Sequence, residues 1–173
     1  MRAAAIAGVC FLGGVALAAP EQRYDGRRIS MSVPAGSRVT EVGDVAADFT
    51  LEVVPPLAGP LGGMRFHVLL SNARTSDAEV EAQGTAWRDK RIKSRSSWGV
   101  PATGVRRVEQ TRLGTLRVVR FVDEVQSVLG GTQVMLCAAL TGHLTCVVGN
   151  GSSDSAVLEP ALSRLLESIK RAS

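Results

Sequence analysis

This chain predicts an α+β fold, an antiparallel β-sheet with two helices packed on it, in the order β-β-β-α-β-β-β-β-α. Three observations carry that reading. Short segments such as 27–33 and 49–54 alternate with the two-residue period of half-buried strands. Turn residues join several of these segments at hairpin distance, which makes antiparallel neighbours. Near the end, Leu158, Leu162, Leu165, Leu166 and Ile169 fall on one helical stripe. Hairpin-linked strands with helices laid on them define the class.

The first strand is RRISMSV, residues 27–33, with Ile29, Met31 and Val33 on one face and Pro34 at its end. Pro34-Ala35-Gly36-Ser37 is a turn. FTLEVV, residues 49–54, is the second strand, stopped by Pro55-Pro56 and a loop dense in proline and glycine. RFHVLL, residues 65–70, is the third, with His67 expected on its solvent face. Thr75-Ser76-Asp77 opens a helix that runs to about Ser94, with Glu79 and Glu81 near its positive end. Its apolar face is thin: Val80, Gly84 and Trp87 align, and Ile92 falls elsewhere. Residues 106–111 and 116–125 form a strand pair around Leu113-Gly114, and residues 131–140 and 143–150 form another. In the last helix Pro160 is tolerable only near the start. There is no internal repeat, linker or low-complexity segment.

The final hairpin holds LCAALTGHLTC, with Cys137 and Cys146 at its ends. Thr141-Gly142 suits a primed two-residue turn. Counting outward, Leu140 faces His143, Ala139 faces Leu144, and Cys137 faces Cys146. That last pair is a non-hydrogen-bonded one, where side chains approach most closely. A cross-strand disulfide fits this geometry. A structural zinc site wants four ligands, and the chain has only His67 and His143 to add. A redox pair has tighter spacing and a helix N-terminus to lower the thiol pKa. The disulfide closes a loop that the turn already organises, so it belongs at the low end of the usual contribution of about 2–4 kcal/mol.

The opening run, MRAAAIAGVCFLGGVALAAPEQ, has Arg2, an uncharged apolar stretch and Ala16-Leu17-Ala18. It reads as a secretory signal over 1–19, cleaved after Ala18 or Ala19. The apolar stretch is too short for a comfortable membrane span. Val9 is a poor residue before a lipidated cysteine, so Cys10 leaves with the signal. Residues 20–173 then form one domain large enough for a real core. An exported chain meets oxidising conditions, which favours the disulfide and a periplasmic or secreted location.

Without Arg2 the chain carries 19 basic and 16 acidic side chains, a net charge near +3. The excess is clustered: WRDKRIKSR, residues 87–95, holds five basic residues. On a helix, Arg88, Arg91 and Arg95 share one face, and Trp87 is spaced to stack on Arg91. One reading is a solvated helix end, where cations suit the dipole. The other is a binding patch of Trp87, Arg88, Arg91 and Arg95 for an acidic envelope protein, a lipid headgroup or a cell-wall polymer. Nucleic acid is no partner for an exported protein. Asp44, Asp48 and the Asp123-Glu124 pair read as solvated carboxylates.

Catalytic signatures are missing. No serine sits in a G-x-S-x-G elbow, and no phosphate loop or G-x-G-x-x-G follows a strand. The sequence therefore implies neither a cofactor nor a metal site.

Three stretches carry a family resemblance: SVPAGSRV, FTLEVVPPLAGPLGGMRFHVLLSN and LTGHLTCVVGNGSSDSAVLEPALSRLLESI. Their succession of strand, Pro-Gly turn, paired strands, last hairpin and Pro-containing helix resembles the PsbP-like fold. Among bacterial members it is most similar to the DcrB-type exported proteins. The likeness spans nearly all of the chain after the leader, as a pattern of elements. It departs at Ser37, where an aromatic residue commonly follows Pro-x-Gly. The resemblance transfers no catalytic residue and implies a protein that acts by binding. Two functions follow as expectations. One is a non-catalytic envelope adaptor, such as an accessory subunit, immunity protein or chaperone. The other is an enzyme or small-ligand carrier with a pocket between sheet and helix.

Overall fold

The computed structural model describes residues 21–59, 61–96, 106–124, 131–151 and 155–171. The leader read over 1–19, with Cys10, lies outside them. In chain order the elements are β1 (Glu21–Asp25), β2 (Ile29–Pro34), β3 (Arg38–Val42), β4 (Phe49–Val54), β5 (Arg65–Arg74) and α1 (Val80–Ser96). They continue with β6 (Arg106–Leu113), β7 (Leu116–Glu124), β8 (Thr132–Leu140), β9 (His143–Gly151), α2 (Ser155–Ser168) and β10 (Lys170–Arg171). All pairing is antiparallel. A seven-stranded sheet runs β3-β4-β5-β9-β8-β7-β6, and a three-stranded sheet runs β1-β2-β10. The α+β class predicted by the alternating strands is the class observed.

Each face of the large sheet is covered differently. On one, α2 and the small sheet bury Ile29, Met31, Val33, Leu51, Phe66, Val147, Leu158, Leu162 and Leu166. Such burial stabilises by on the order of 25 cal/mol for each Å² of apolar surface removed from water. Arg120 of β7 reinforces this side. Its Nε and Nη2 both donate to the Glu159 carboxylate on α2 at 2.8 Å, and its Nη1 donates to Glu109 at 2.9 Å. That fork raises the Arg120 pKa above its ordinary value, Glu159 being the main cause. On the opposite face a smaller cluster lies under α1: Leu69, Val80, Val119, Phe121, Met135, Cys137, Leu144, Cys146 and Val148.

Five strands precede α1 where the sequence suggests three, and β10 is also additional. β1 and β3 are edge strands of largely exposed residues. With little face to bury, they carry little hydrophobic alternation to read. β10 is only two residues long and exists through its pairing with β2.

Two helix boundaries also need a physical account. α1 begins at Val80 rather than near Thr75, because a capping turn precedes it. The Ser76 N–H and hydroxyl donate to the Glu79 carboxylate at 2.8 and 2.7 Å, and the Glu79 N–H returns to the Ser76 carbonyl at 3.0 Å. Those bonds, the backbone one foremost, hold the Glu79 carboxyl below its ordinary pKa. In α2, Pro160 lies in the second turn, where it removes one backbone donor. Leu158 and Leu162 on either side of it are fully buried, so tertiary packing holds the helix through that turn.

Candidate functional site

Arg88 and Arg91 of α1 do not form a surface patch. Arg88 is 3% exposed and Arg91 6% exposed. Positions 80, 84, 88 and 91 make a single helical stripe, and this stripe faces the sheet. Arg88 donates from Nε to Asp123 Oδ1 at 3.0 Å, with Nη2 2.9 Å from the same oxygen. Its guanidinium also lies over the Phe121 ring, 5.6 Å from the centroid. Arg91 pairs with Asp44 in the β3–β4 loop, and the Asp44 Oδ1 accepts the Ala46 N–H at 2.8 Å. Burial pushes the Arg91 guanidinium below its ordinary pKa, and the Asp44 charge pulls it back. Two carboxylates expected in solvent are thus counter-ions, Asp123 buried and Asp44 half-buried. Trp87 is half-buried against the α1-side core and makes no ring contact with Arg91. The Arg95 side chain lies outside the described part of the structure.

The cysteine hairpin has the predicted register, Cys137 opposite Cys146 and Leu140 opposite His143. A disulfide joins the two cysteines, with Cα atoms 4.1 Å apart, the close spacing of a non-hydrogen-bonded pair. Thr141 and Gly142 both have positive φ, 50° and 74°, as a type I′ turn requires. Both sulfurs are fully buried and point at α1. There Gly84 lets the helix come close: a Cβ at that position would stand 2.9 Å from the Phe121 ring and 3.3 Å from Cys137 Sγ.

Where the sequence offered no signal, the structure offers a cleft and a free edge. The cleft, about 390 Å³, opens between the start of α1 and the β6–β7 ribbon. Asp77 and Glu81 stand on the helix wall, Arg112 and Arg117 on the ribbon, and Val80 and Val119 contribute apolar lining. Gln110 Nε2 donates across it to Glu81 Oε2 at 2.9 Å. β6 itself ends the large sheet. Residues 107–112 are all exposed, including Val108 at 41%. The two-residue turn at Gly114-Thr115 makes Leu113–Leu116 a hydrogen-bonded pair. Alternation then turns the backbone N–H and C=O of Val108, Gln110 and Arg112 away from β7. Among the described residues no second strand pairs with these groups, which makes them a template for another strand.

Neither histidine lines this cleft. His143, beside the hairpin turn, contacts the Ala73 carbonyl through Nδ1 at 3.1 Å. His67 on β5 is half-buried rather than exposed, because it lies on the sheet face that α1 and the β3–β4 loop cover. Among the described residues, no group of three or more His, Cys, Asp or Glu is placed to hold a metal ion.

These features define an antiparallel α+β protein with one helix on each sheet face and a cleft at one edge. No family model matches the sequence, and neither does any curated protein. Its structure is similar to the solution structure of cyanobacterial PsbP (CyanoP) from Synechocystis sp. PCC 6803. The TM-score is 0.61 at 13% identity, over 95% of this chain and 98% of that one. The chain therefore has a PsbP-like fold; at that identity the likeness is one of architecture.

Proposed function

We propose that this is a non-catalytic binding protein of the cell envelope, an adaptor or accessory subunit. In this reading a segment of a partner protein lies extended along β6, with side chains entering the cleft beside it. The observation that carries it is the unpaired β6 edge next to a cleft with carboxylates on one wall and guanidiniums on the other. Strand addition draws affinity from main-chain hydrogen bonds and specificity from pockets for alternate side chains. The buried Cys137–Cys146 disulfide and the leader read over 1–19 are compatible with a periplasmic or secreted location and with a DcrB-type exported protein. Among the described residues, no helix is long and apolar enough to cross a membrane.

A second reading, a small-ligand carrier, draws on the cleft volume, which falls within the usual range for ligand sites of about 300–1,000 Å³. Its mixed-charge lining favours a peptide segment over an apolar molecule.

The test is Val108→Pro. Because the Val108 N–H points away from β7, proline there blocks an incoming strand and leaves the β6–β7 ladder intact. Proteins retained by the tagged chain from its native envelope are identified by mass spectrometry. The partner affinity is expected to fall at least tenfold in the variant, with an unchanged circular dichroism spectrum. Equal retention by both chains would refute strand addition at β6.

A further inference from the structure

The small sheet gathers four cations at one corner. Arg171 of β10 pairs with Ile29 and Lys170 with Ser30, so both stand beside Arg27 and Arg28 at the start of β2. The Arg171 guanidinium reaches the large sheet, where Nη2 donates to the Ser71 carbonyl at 2.8 Å. Its Nη1 is buried and has no hydrogen-bond acceptor. Arg28 lies over the Phe49 ring, 4.8 Å from the centroid, and its Nη1 donates to Asn72 Oδ1 at 3.4 Å. Among the described residues, no carboxylate pairs with any of the four cations. Asp48, in the same corner, accepts the Asn72 N–H at 2.7 Å and the Ser71 hydroxyl at 3.5 Å.

Among the described residues, neither guanidinium of this corner has an ion-pair partner. Arg171 is pushed below its ordinary pKa, first by burial and then by the charge of Arg28. Both guanidiniums are held by neutral acceptors and a ring face, so they are oriented while their charges repel. Elsewhere the buried or half-buried arginines have acidic partners: Asp123 for Arg88, Asp44 for Arg91, and Glu159 for Arg120. Planar, oriented guanidinium forks match the oxygens of a tetrahedral oxyanion.

We propose that Arg28 and Arg171 form a binding site for a phosphate-class oxyanion, with Arg27 and Lys170 adding attraction from the rim. The anion docks on the exposed Arg28 guanidinium and relieves its repulsion with Arg171, whose Nη1 is closed to solvent. Free phosphate compounds and lipid phosphate headgroups share this chemistry.

Calorimetric titration of the full chain with inorganic phosphate at low ionic strength tests the site. Vesicles of phosphatidylglycerol, with phosphatidylcholine vesicles for comparison, test whether a headgroup can reach it. Phosphate is expected to bind, and Arg28→Gln to weaken it at least tenfold. Arg171 also ties β10 to Ser71, so Arg28→Gln, on the exposed member of the pair, is the decisive variant. Arg27→Gln is expected to change affinity less than threefold. Binding of both phosphate and phosphatidylglycerol supports the site and makes a headgroup a competent ligand. Phosphate binding alone supports it with a free anion as ligand. Vesicle binding without phosphate binding overturns it, since that is general attraction to a charged surface. So does phosphate affinity that survives Arg28→Gln, or no binding of either probe.

Discussion

Replacing Arg88 with alanine is expected to destabilise the fold by about 3–5 kcal/mol, the usual cost of stranding one member of a buried ion pair. Asp123 is 4% exposed, and its carboxylate would remain without its counter-ion. The pair is also imperfect. Arg88 places two nitrogens on Oδ1, while Asp123 Oδ2 is buried with no hydrogen-bond partner. Such a pair stabilises little relative to apolar residues, yet breaking it is costly. The double replacement Arg88→Met with Asp123→Leu is therefore expected to recover most of the loss. Urea unfolding of the two variants measures both values. A loss below about 0.5 kcal/mol for Arg88→Ala, within the scatter of ordinary surface changes, would mean that the stripe faces solvent after all. Salt should matter little, because screening acts mainly on exposed charges.

The second large effect is expected from Leu162→Ala, at about 2–5 kcal/mol. Leu162 is fully buried at the centre of the α2 face. Its neighbourhood is tight: a Cβ on Gly149 of β9 would stand 2.5 Å from Leu158 Cδ1 and 3.2 Å from both Leu162 methyls. The missing side chain would leave a void that backbone cannot fill, and a cavity term adds to the lost transfer energy. For a chain of this size each kcal/mol lowers the Tm by about 2–4 °C, so thermal unfolding reads the effect directly. Leu57→Ala, at a loop residue 86% exposed, is the control and should stay within about 0.5 kcal/mol.

What the sequence revealed depended on periodicity. The stripe from Leu158 to Ile169 and the register of the Cys137–Cys146 hairpin are local patterns with one physical reading each. The α1 arginines misled because charge argues for exposure. Yet Val80, Gly84, Arg88 and Arg91 keep the helical period, so the burial was written in the spacing. Their partners are 47 residues before Arg91 and 35 after Arg88, a separation that no local pattern encodes. The cleft joins residues near 80 to residues near 115, and the β6 edge depends on strand order; both arise only once the sheet is assembled.

The close seat of Gly84 above Cys137 makes the disulfide an internal gauge of helix undocking. A reductant in solvent cannot reach sulfurs that are fully covered while α1 is in place. Thiol exchange must therefore wait for α1 to lift, and when lifting and reseating are fast, the reduction rate follows the open population. Every 1.4 kcal/mol removed from the seating of the helix should then speed reduction about tenfold, before any loss of the sheet is visible. Weakening the Arg91–Asp44 contact, which ties the far end of α1 to the β3–β4 loop, should show in that rate while the α2 side of the fold stays closed.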